Sequence, residues 1–371
     1  MQWNWQDPDW PHFRWDAARL TARELAFAEN AGVLIGFSSH LDQDNQSQLI
    51  VDLMSRSALD SSAIEGEVLD RGSVQSSVRR HLGLQADNHR PRPAEEGVAG
   101  LMVNLFSTID AGLDHDTLFA WHKMVMAGST DLEVIGGYRR HSEAMQIVSG
   151  PDYRRKVHFE APPSTAVPGE MDRFLEWFSR TGPQGIEPLA PVTRAGIAHL
   201  WFETIHPFED GNGRLGRVIA EKALAQGRSA PMLTGIASTF MQQRKHYYDQ
   251  LEASSRSLKI DQWLDWFANM ALMAQDQTVG WVEFLIGKAQ TLGRLAGQLN
   301  DRQEKALLRL FRAGPDGFAG GLSAENYRSI TGATPPTATR DLADLVDKGA
   351  LRRTGERKGT RYWLVGRKAP D

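Results

Sequence analysis

The 371-residue chain contains no cysteine, which excludes disulfides, thiolate catalysis and zinc sites built from cysteine. It has no run of about 18 or more apolar residues, so we expect no membrane span. Its first residues lack a basic start followed by an apolar stretch, so no signal peptide is visible and a cytoplasmic location is expected. The formal net charge is only −4, so the chain as a whole is not a general polyanion binder.

The length predicts two or three compact units, and the composition, with 41% hydrophobic and 24% charged residues, is typical of a globular protein. Periodicity predicts a mainly α fold, with one helix near 240–254 and a pair of helices over 260–299. The runs AMQIV and KVHFE predict a short β-hairpin, joined by SGPDYRR as a wide loop. A polar, proline-containing stretch at 86–93 separates the first two of three predicted regions, which are 1–93, 94–300 and 301–371.

Tryptophan is concentrated at the start of the chain. Four of the eleven tryptophans lie in the first fifteen residues, namely Trp3, Trp5, Trp10 and Trp15, and two prolines there prevent a helix. We expect an extended strap that its indoles pin to the core. The alternative is a partner surface, and a homodimer is left open.

The C-terminal region predicts a winged-helix-like domain. Helical patterns at 302–312, 323–331 and 336–348 precede two strand-like segments around a basic turn, LRRTGERKGTRYWLV. Lys and Arg outnumber Asp and Glu from residue 348 onward, and such a wing can rest on phosphates. DNA contact and protein contact are both open for this region.

The stretch HPFEDGNGRLGR, residues 206–217, has the pattern of a phosphate-binding loop. His206 precedes a proline, which ends the preceding helix at about Ile205. Gly211 and Gly213 allow positive φ and a close approach of ligand to backbone. The next helix then begins, and its free N–H groups make an anion site.

The charged residues of this stretch favour a polyphosphate ligand. Arg214 and Arg217 share one helix face, and two cations at the positive end of a helix are unfavourable unless an anion compensates them. Asp210 is a hard oxygen ligand suited to Mg²⁺ shared with phosphates. His206 is a candidate base near neutral pH.

These residues resemble the Fic signature, His-x-Phe-x-Asp/Glu-Gly-Asn-Gly-Arg-x-x-Arg, with every specified position matched. The kinase-like Doc branch usually has lysine where Gly213 stands, so glycine favours nucleotidyl transfer. The segment IGGYR resembles the approach to the family's hairpin flap, and Tyr247, Tyr248 and Leu251 resemble its adenine-side pocket. The implied fold is a Fic-type helical core, over 94–300, with a short β-hairpin flap.

An upstream segment, SSAIEG at 61–66, resembles the inhibitory motif of the same family. Ser61 and Glu65 are four residues apart and would share a helix face. The resemblance implies that Glu65 pairs with Arg217 and makes the chain autoinhibited. Region 1–93 would then carry the strap and an inhibitory helix.

The resemblance also implies the ligands of the site. Asp210 would hold Mg²⁺ against the phosphates of ATP, and the N–H groups of Gly211–Gly213 with the Asn212 side chain would cradle them. Arg214 is expected at the β-phosphate and Arg217 at the γ-phosphate.

The implied activity is protein AMP transfer. His206 would take the proton of a Ser, Thr or Tyr hydroxyl on a protein target or on the chain itself, and that hydroxyl would attack the α-phosphorus of ATP. The flap would align the target by strand addition.

Three alternatives remain at this point. Glu65 could position a water that removes AMP from modified proteins, or the substrate could be UTP or GTP. In the third, the chain is a DNA-binding regulator whose Fic core only senses a ligand, although the intact His206 and both arginines favour an enzyme.

Overall fold

A computed structural model describes residues 2–39, 41–87, 89–150, 155–228, 233–314, 318 and 320–365. Its helices are α1 Thr21–Ser39, α2 Gln43–Ile64, α3 Arg71–His81, α4 Pro93–Ser107, α5 His115–Val125, α6 Val167–Arg180, α7 Pro191–Ile205, α8 Asn212–Ala225, α9 Ile236–Gln242, α10 Arg244–Ser254, α11 Asp261–Arg294, α12 Asp301–Phe311, α13 Ala324–Thr331 and α14 Pro335–Asp347. Its strands are β1 Gln146–Ser149, β2 Lys156–Glu160, β3 Leu351–Thr354 and β4 Arg361–Leu364. The mainly α prediction is confirmed.

The predicted hairpin forms from β1 and β2, which pair antiparallel. Ile147 lies opposite Phe159, and the register shifts between Ile147 and Val148. Most of the loop predicted between the two strands, residues 151–154, lies outside the described residues.

Contacts divide the chain into two compact units. The first comprises Met1–Ile35 and Ile50–Thr278, and the second comprises Gly36–Leu49 and Val279–Asp371. These units are defined by contacts between residues. The three predicted regions, with boundaries at residues 93 and 300, remain a prediction.

Helices α7 and α8 form the centre of the first unit. Almost every residue of both is buried, including Phe202, Ile205, Leu215 and Ile219. Both helices are therefore buried on nearly all sides and lie inside the core of this unit. The segment from His206 to Gly211 joins them, so the signature loop is anchored at both ends by buried helices.

Two helix boundaries differ from the sequence prediction. The pair expected over 260–299 is mainly one helix, α11, of 34 residues. Gly280 and Gly287 lie within it, and a Cβ would meet nothing at either position, so each costs only its low helix propensity. The single helix expected near 240–254 is divided at Gln243 into α9 and α10.

In the second unit, α12, α13 and α14 precede the antiparallel pair β3–β4, which is the predicted order of elements. The buried residues of this unit include Leu307, Leu342, Leu345 and Leu351. Its identity as a winged helix remains a prediction, and residues 366–371 of the basic tail lie outside the described part.

Among the described residues, no helix is both long and apolar enough to cross a membrane.

Candidate active site

His206 lies where helix α7 ends, as its position before Pro207 predicts. Its backbone is left-handed, with φ 50° and ψ 59°, and its N–H donates to the carbonyl of Phe202 at 3.0 Å. A left-handed conformation costs a non-glycine residue on the order of 1–3 kcal/mol, so its surroundings must hold it.

The buried guanidinium of Arg139 supplies this support. Its Nε donates to the carbonyl of His206 at 2.8 Å, and its Nη2 donates to those of Pro162 at 2.6 Å and Ile205 at 3.3 Å. Its Nη1 donates to the hydroxyl of Ser164 at 2.8 Å. Burial lowers the pKa of Arg139 to about 10, so the side chain remains charged at neutral pH. Arg139 therefore ties the end of α7 to the segment that follows β2.

The imidazole of His206 is mostly buried and neutral. Burial lowers its pKa to about 4. Nδ1 lies 3.3 Å from the carbonyl oxygen of Glu203, which assigns the ring proton to Nδ1 and leaves Nε2 as the acceptor. Burial also raises the pKa of the Glu203 carboxyl to about 8, so that group is mainly protonated at neutral pH.

The loop after His206 is shaped by Asn212. Its Oδ1 accepts from the backbone N–H of Phe208 at 2.9 Å, and its Nδ2 donates to the Phe208 carbonyl at 2.8 Å. The Phe208 ring is buried and stacks on His122 with centroids 4.1 Å apart. The Asn212 amide thus binds the loop backbone here, whereas the sequence predicted that it would contact phosphate.

Gly211 and Asp210 stand at the start of α8. Gly211 has φ 80°, and a Cβ there would lie 3.0 Å from the sulfur of Met126. The Asp210 side chain is 60% exposed, with Oδ1 accepting from the N–H of Gly211 at 2.6 Å. The other oxygen lies 3.5 Å from Nη2 of Arg214, and the exposure of the side chain leaves this carboxylate accessible to a ligand.

Arg217 is buried and engages both residues of the predicted inhibitory motif. Its Nε donates to the Ser61 hydroxyl at 2.9 Å, and its Nη2 donates to the Ser61 carbonyl at 2.8 Å. Nη2 also lies 2.7 Å from Oε1 of Glu65. Helix α2 ends at Ile64, so Glu65 lies in the turn just after the helix rather than within it.

The charge of Glu65 is stabilised in this position. Burial raises the pKa of Glu65, but the charge and hydrogen bond of Arg217, with smaller contributions from Arg214 and Tyr248, lower it below its ordinary value. A Cβ on Gly213 would lie 2.3 Å from Oε1 of Glu65. The glycine at position 213 therefore makes room for the Glu65 carboxylate beside Arg217.

Arg214 has its own carboxylate partner, which the sequence did not predict. Its Nη1 lies 3.0 Å from Oε2 of Glu67. The turn after α2 therefore places one carboxylate on each arginine of the signature.

A cavity of about 610 Å³ brings most of the predicted residues together. Its lining includes Glu65, His206, Asp210 and the glycine loop, together with β1 residues of the hairpin. Tyr247, Tyr248 and Leu251 of α10 also line it. The Tyr247 hydroxyl lies 2.8 Å from Nε2 of His199, whereas the Tyr248 hydroxyl donates to Glu65 at 3.3 Å.

The signature predicts the loop but misses residues that contact it from elsewhere in the chain. Arg139 and Glu67 are far from the loop in sequence, and Glu203 precedes the first specified position. Arg139 lies within IGGYR, whose resemblance to the approach to the flap does not by itself mark Arg139 as a site residue. No spacing rule marks Glu67, since its pairing with Arg214 depends on the turn after Ile64.

The side chains suit Mg²⁺ only in combination with phosphates. Among the described residues, no group of three or more His, Cys, Asp or Glu side chains could hold a metal ion. Asp210 offers a single exposed carboxylate, and Mg²⁺ is commonly held by one or two carboxylates plus substrate phosphates. The donor set therefore fits a nucleotide-bound Mg²⁺.

Residues 112–224 match the Fic/DOC family, and the chain therefore contains a domain of this family. Residues 3–84 match DUF4172, a domain of unknown function.

Relatives that carry the Fic name match part of this chain. The proteins named protein adenylyltransferase Fic of Drosophila erecta and Drosophila virilis are 28% and 29% identical to the chain over 127 residues. Each match covers 33% of this chain and 24% of the relative, so it spans only about a quarter of those proteins.

A solved structure shares the fold. A Fic-domain-containing signalling protein from Bacteroides thetaiotaomicron aligns with a TM-score of 0.51 and 14% sequence identity. The alignment covers 70% of this chain and 97% of that protein. The similarity concerns the fold alone.

Proposed function

We propose that the chain transfers AMP from ATP to a Ser, Thr or Tyr hydroxyl of a protein target and of itself, and that Glu65 restrains this activity. The observation that carries the proposal is the cavity itself. It is lined by the neutral imidazole of His206, the exposed carboxylate of Asp210 and the glycine start of α8.

His206 is the proposed general base. The target hydroxyl gives its proton to Nε2 while its oxygen forms a bond to the α-phosphorus of ATP. The bond between that phosphorus and the oxygen bridging to the β-phosphate breaks, and pyrophosphate leaves. Reactions of this type depend mainly on positioning and on charge stabilisation. The Arg139 hydrogen bond to the His206 carbonyl supports the positioning of the base.

The start of α8 is the proposed phosphate site. The first N–H groups of a helix have no partner within the helix, and together with the positive end of the helix dipole they favour a polyphosphate. Asp210 would hold Mg²⁺, which supplies positive charge to the phosphates when it is bound.

Arg214 and Arg217 are the proposed β- and γ-phosphate ligands, and both are engaged by carboxylates of the turn after α2. Arg217 binds Glu65 at 2.7 Å, and Arg214 binds Glu67 at 3.0 Å. Phosphate and carboxylate compete for the same guanidinium donors. These contacts support an inhibited state in which ATP cannot engage Arg217 while Glu65 remains on it.

The hairpin is the proposed docking element for the target. Ile147 of β1 lines the cavity and is 41% exposed. A strand that adds to a hairpin edge is held through its backbone, so its register is fixed without one required sequence. The name of the Drosophila relatives, protein adenylyltransferase Fic, supports a protein as the acceptor.

The test uses the position of the label in the nucleotide. The Glu65→Gly variant is incubated with a cell lysate and with ATP labelled at the α- or the γ-phosphorus, and UTP and GTP labelled at the α-phosphorus are run in parallel. AMP transfer predicts protein labelling from α-labelled ATP in excess of the lysate alone, and no such excess from γ-labelled ATP, which the lysate's own kinases also use. An excess from the γ-position would indicate phosphoryl transfer, and an excess only from UTP or GTP would refute the choice of ATP.

A further inference from the structure

Three consecutive residues near the N-terminus, Trp3, Asn4 and Trp5, contact three different elements that form the cavity. Trp3 is buried, and its ring packs edge-on against Phe159 of β2 with centroids 5.2 Å apart. The guanidinium of Arg256, just after α10, lies 3.5 Å from the Trp3 ring centroid. Trp3 is therefore held between the hairpin and the end of α10.

Asn4 joins α7 to α10. Its backbone N–H donates to the carbonyl of Ser255 at 2.8 Å, and its Nδ2 donates to the Thr204 hydroxyl at 3.3 Å and to the Ser254 carbonyl at 3.4 Å. Thr204 and Ser255 both line the cavity. Asn4 is 1% exposed, so these bonds are protected from water.

Trp5 contacts the hairpin. Its indole N–H donates to the carbonyl of Glu160, the last residue of β2, at 2.7 Å. Its ring packs on a small apolar cluster formed by Trp3, Phe159 and Ala161. A two-stranded hairpin is marginally stable by itself, so its position depends on such external contacts.

The first tryptophans of the N-terminal segment therefore pack against other parts of the same chain. Trp3 and Trp10 are 7% and 8% exposed, so neither presents a free surface to a partner. Trp10 makes different contacts, because its indole N–H donates to Glu170 of α6 at 2.9 Å. Within the N-terminal segment, the contacts to the hairpin described above therefore come from Trp3 and Trp5, and they add to the ion pairs of Lys156 and His158 with Glu252 of α10.

We propose that Trp3 and Trp5 are positioning residues that hold the β1–β2 hairpin at the cavity, while Asn4 between them fixes the segment to α7 and α10. This gives the start of the DUF4172 region a role in forming the site. The consequence for transfer rests on the proposed function, in which the hairpin aligns the target hydroxyl.

The direct test is hydrogen exchange of the hairpin amides, 146–149 and 156–160, in the full chain. Trp5→Phe keeps an aromatic ring and removes only the N–H that binds Glu160. Loss of one such bond should speed exchange of these amides about threefold to tenfold, since local opening becomes easier. Trp3→Leu should have a similar or larger effect.

Trp10→Phe is the matched control, because it removes an indole hydrogen bond of the same segment that does not reach the hairpin. We expect its hairpin amides to exchange as in the unchanged chain. Equal hairpin exchange in Trp5→Phe, Trp3→Leu and Trp10→Phe would overturn the proposal.

A kinetic measurement separates positioning from a general loss of stability. In the Glu65→Gly background, Trp5→Phe should raise KM for the protein target and leave KM for ATP unchanged, and Trp10→Phe should change neither value. Changes confined to kcat, or equal in both variants, would contradict the positioning role. Because hydrogen exchange needs no substrate, it decides the role of the tryptophans even if no nucleotide is transferred and the proposed function fails.

Discussion

At the scale of single residues, the protonation state of His206 can be measured directly. Burial holds its pKa at about 4, so the ring should stay neutral from pH 8 down to about pH 5.5, against an ordinary pKa of about 6.5. Its ability to accept a proton should be lost only as the pH approaches 4. Ring resonances assigned by comparison with His206→Gln should show no titration in the upper range, and a midpoint near the ordinary value would contradict the buried, neutral base.

The metal assignment is tested by two adjacent carboxylates. Asp210→Asn should weaken Mg²⁺-dependent ATP binding, because it removes the charge of an exposed carboxylate at the start of α8. Glu209→Gln is the matched control, since Glu209 accepts a hydrogen bond from the N–H of Glu133 and glutamine preserves that acceptor. Calorimetry with and without Mg²⁺ should show a metal-dependent loss only for Asp210→Asn, and equal losses would remove Asp210 from this role.

At the scale of elements, the turn after α2 carries two carboxylates, and Glu67 extends the proposed inhibitory contact to Arg214. Glu67→Gln removes the charge opposite Arg214 and leaves Glu65 in place. A partly exposed ion pair contributes on the order of 0.2–1 kcal/mol, so ATP affinity should rise by about 1.4-fold to fivefold.

A double-mutant cycle is the control for Glu67. In the Arg214→Ala background, Glu67→Gln should leave ATP affinity unchanged, because the partner of the carboxylate is absent. An equal gain in both backgrounds would indicate that Glu67 acts on the nucleotide without Arg214.

The same elements show how far sequence alone reaches. Pro207 predicts the end of α7, and the glycines predict the loop before α8, because both effects are local to the chain. Arg139 could not be assigned to the site in this way. Its guanidinium donates hydrogen bonds to the carbonyls of Ile205, His206 and Pro162, and only the folded chain brings these groups together. The continuous helix α11 was missed because its glycines do not interrupt it.

At the scale of the whole molecule, the C-terminal unit makes a separate prediction. If its β3–β4 hairpin binds DNA, affinity should fall steeply with salt as counterions are released. Arg353 and Arg357 are exposed on this hairpin and its turn, so replacing both with Gln should reduce the slope of log affinity against log salt by about 2.

Fluorescence anisotropy with a short duplex measures this slope on the full chain. The full chain is preferable to a truncation at residue 301, because Gly36–Leu49 and Val279–Asp371 belong to one compact unit. Binding that is absent or insensitive to salt would leave protein contact as the alternative for this unit.

The proposed function depends on one switch, in which Glu65 occupies Arg217 and so restrains transfer by His206. A misplacement of even about 1 Å in the reacting groups can cost on the order of 100-fold in rate, equivalent to roughly 2.7 kcal/mol. A charge-assisted pair such as Glu65 with Arg217 can impose a penalty of this order.

The most direct measurement is the initial rate of self-labelling from α-labelled ATP in the unchanged chain, in Glu65→Gly, and in Glu65→Gly combined with His206→Ala or Arg217→Ala. The account predicts a rate about 100-fold higher in Glu65→Gly than in the unchanged chain. It predicts that His206→Ala abolishes that gain and that Arg217→Ala prevents most of it. A Glu65→Gly variant that labels no faster than the unchanged chain, even with a lysate supplying targets, or one that labels equally well without His206, would contradict it.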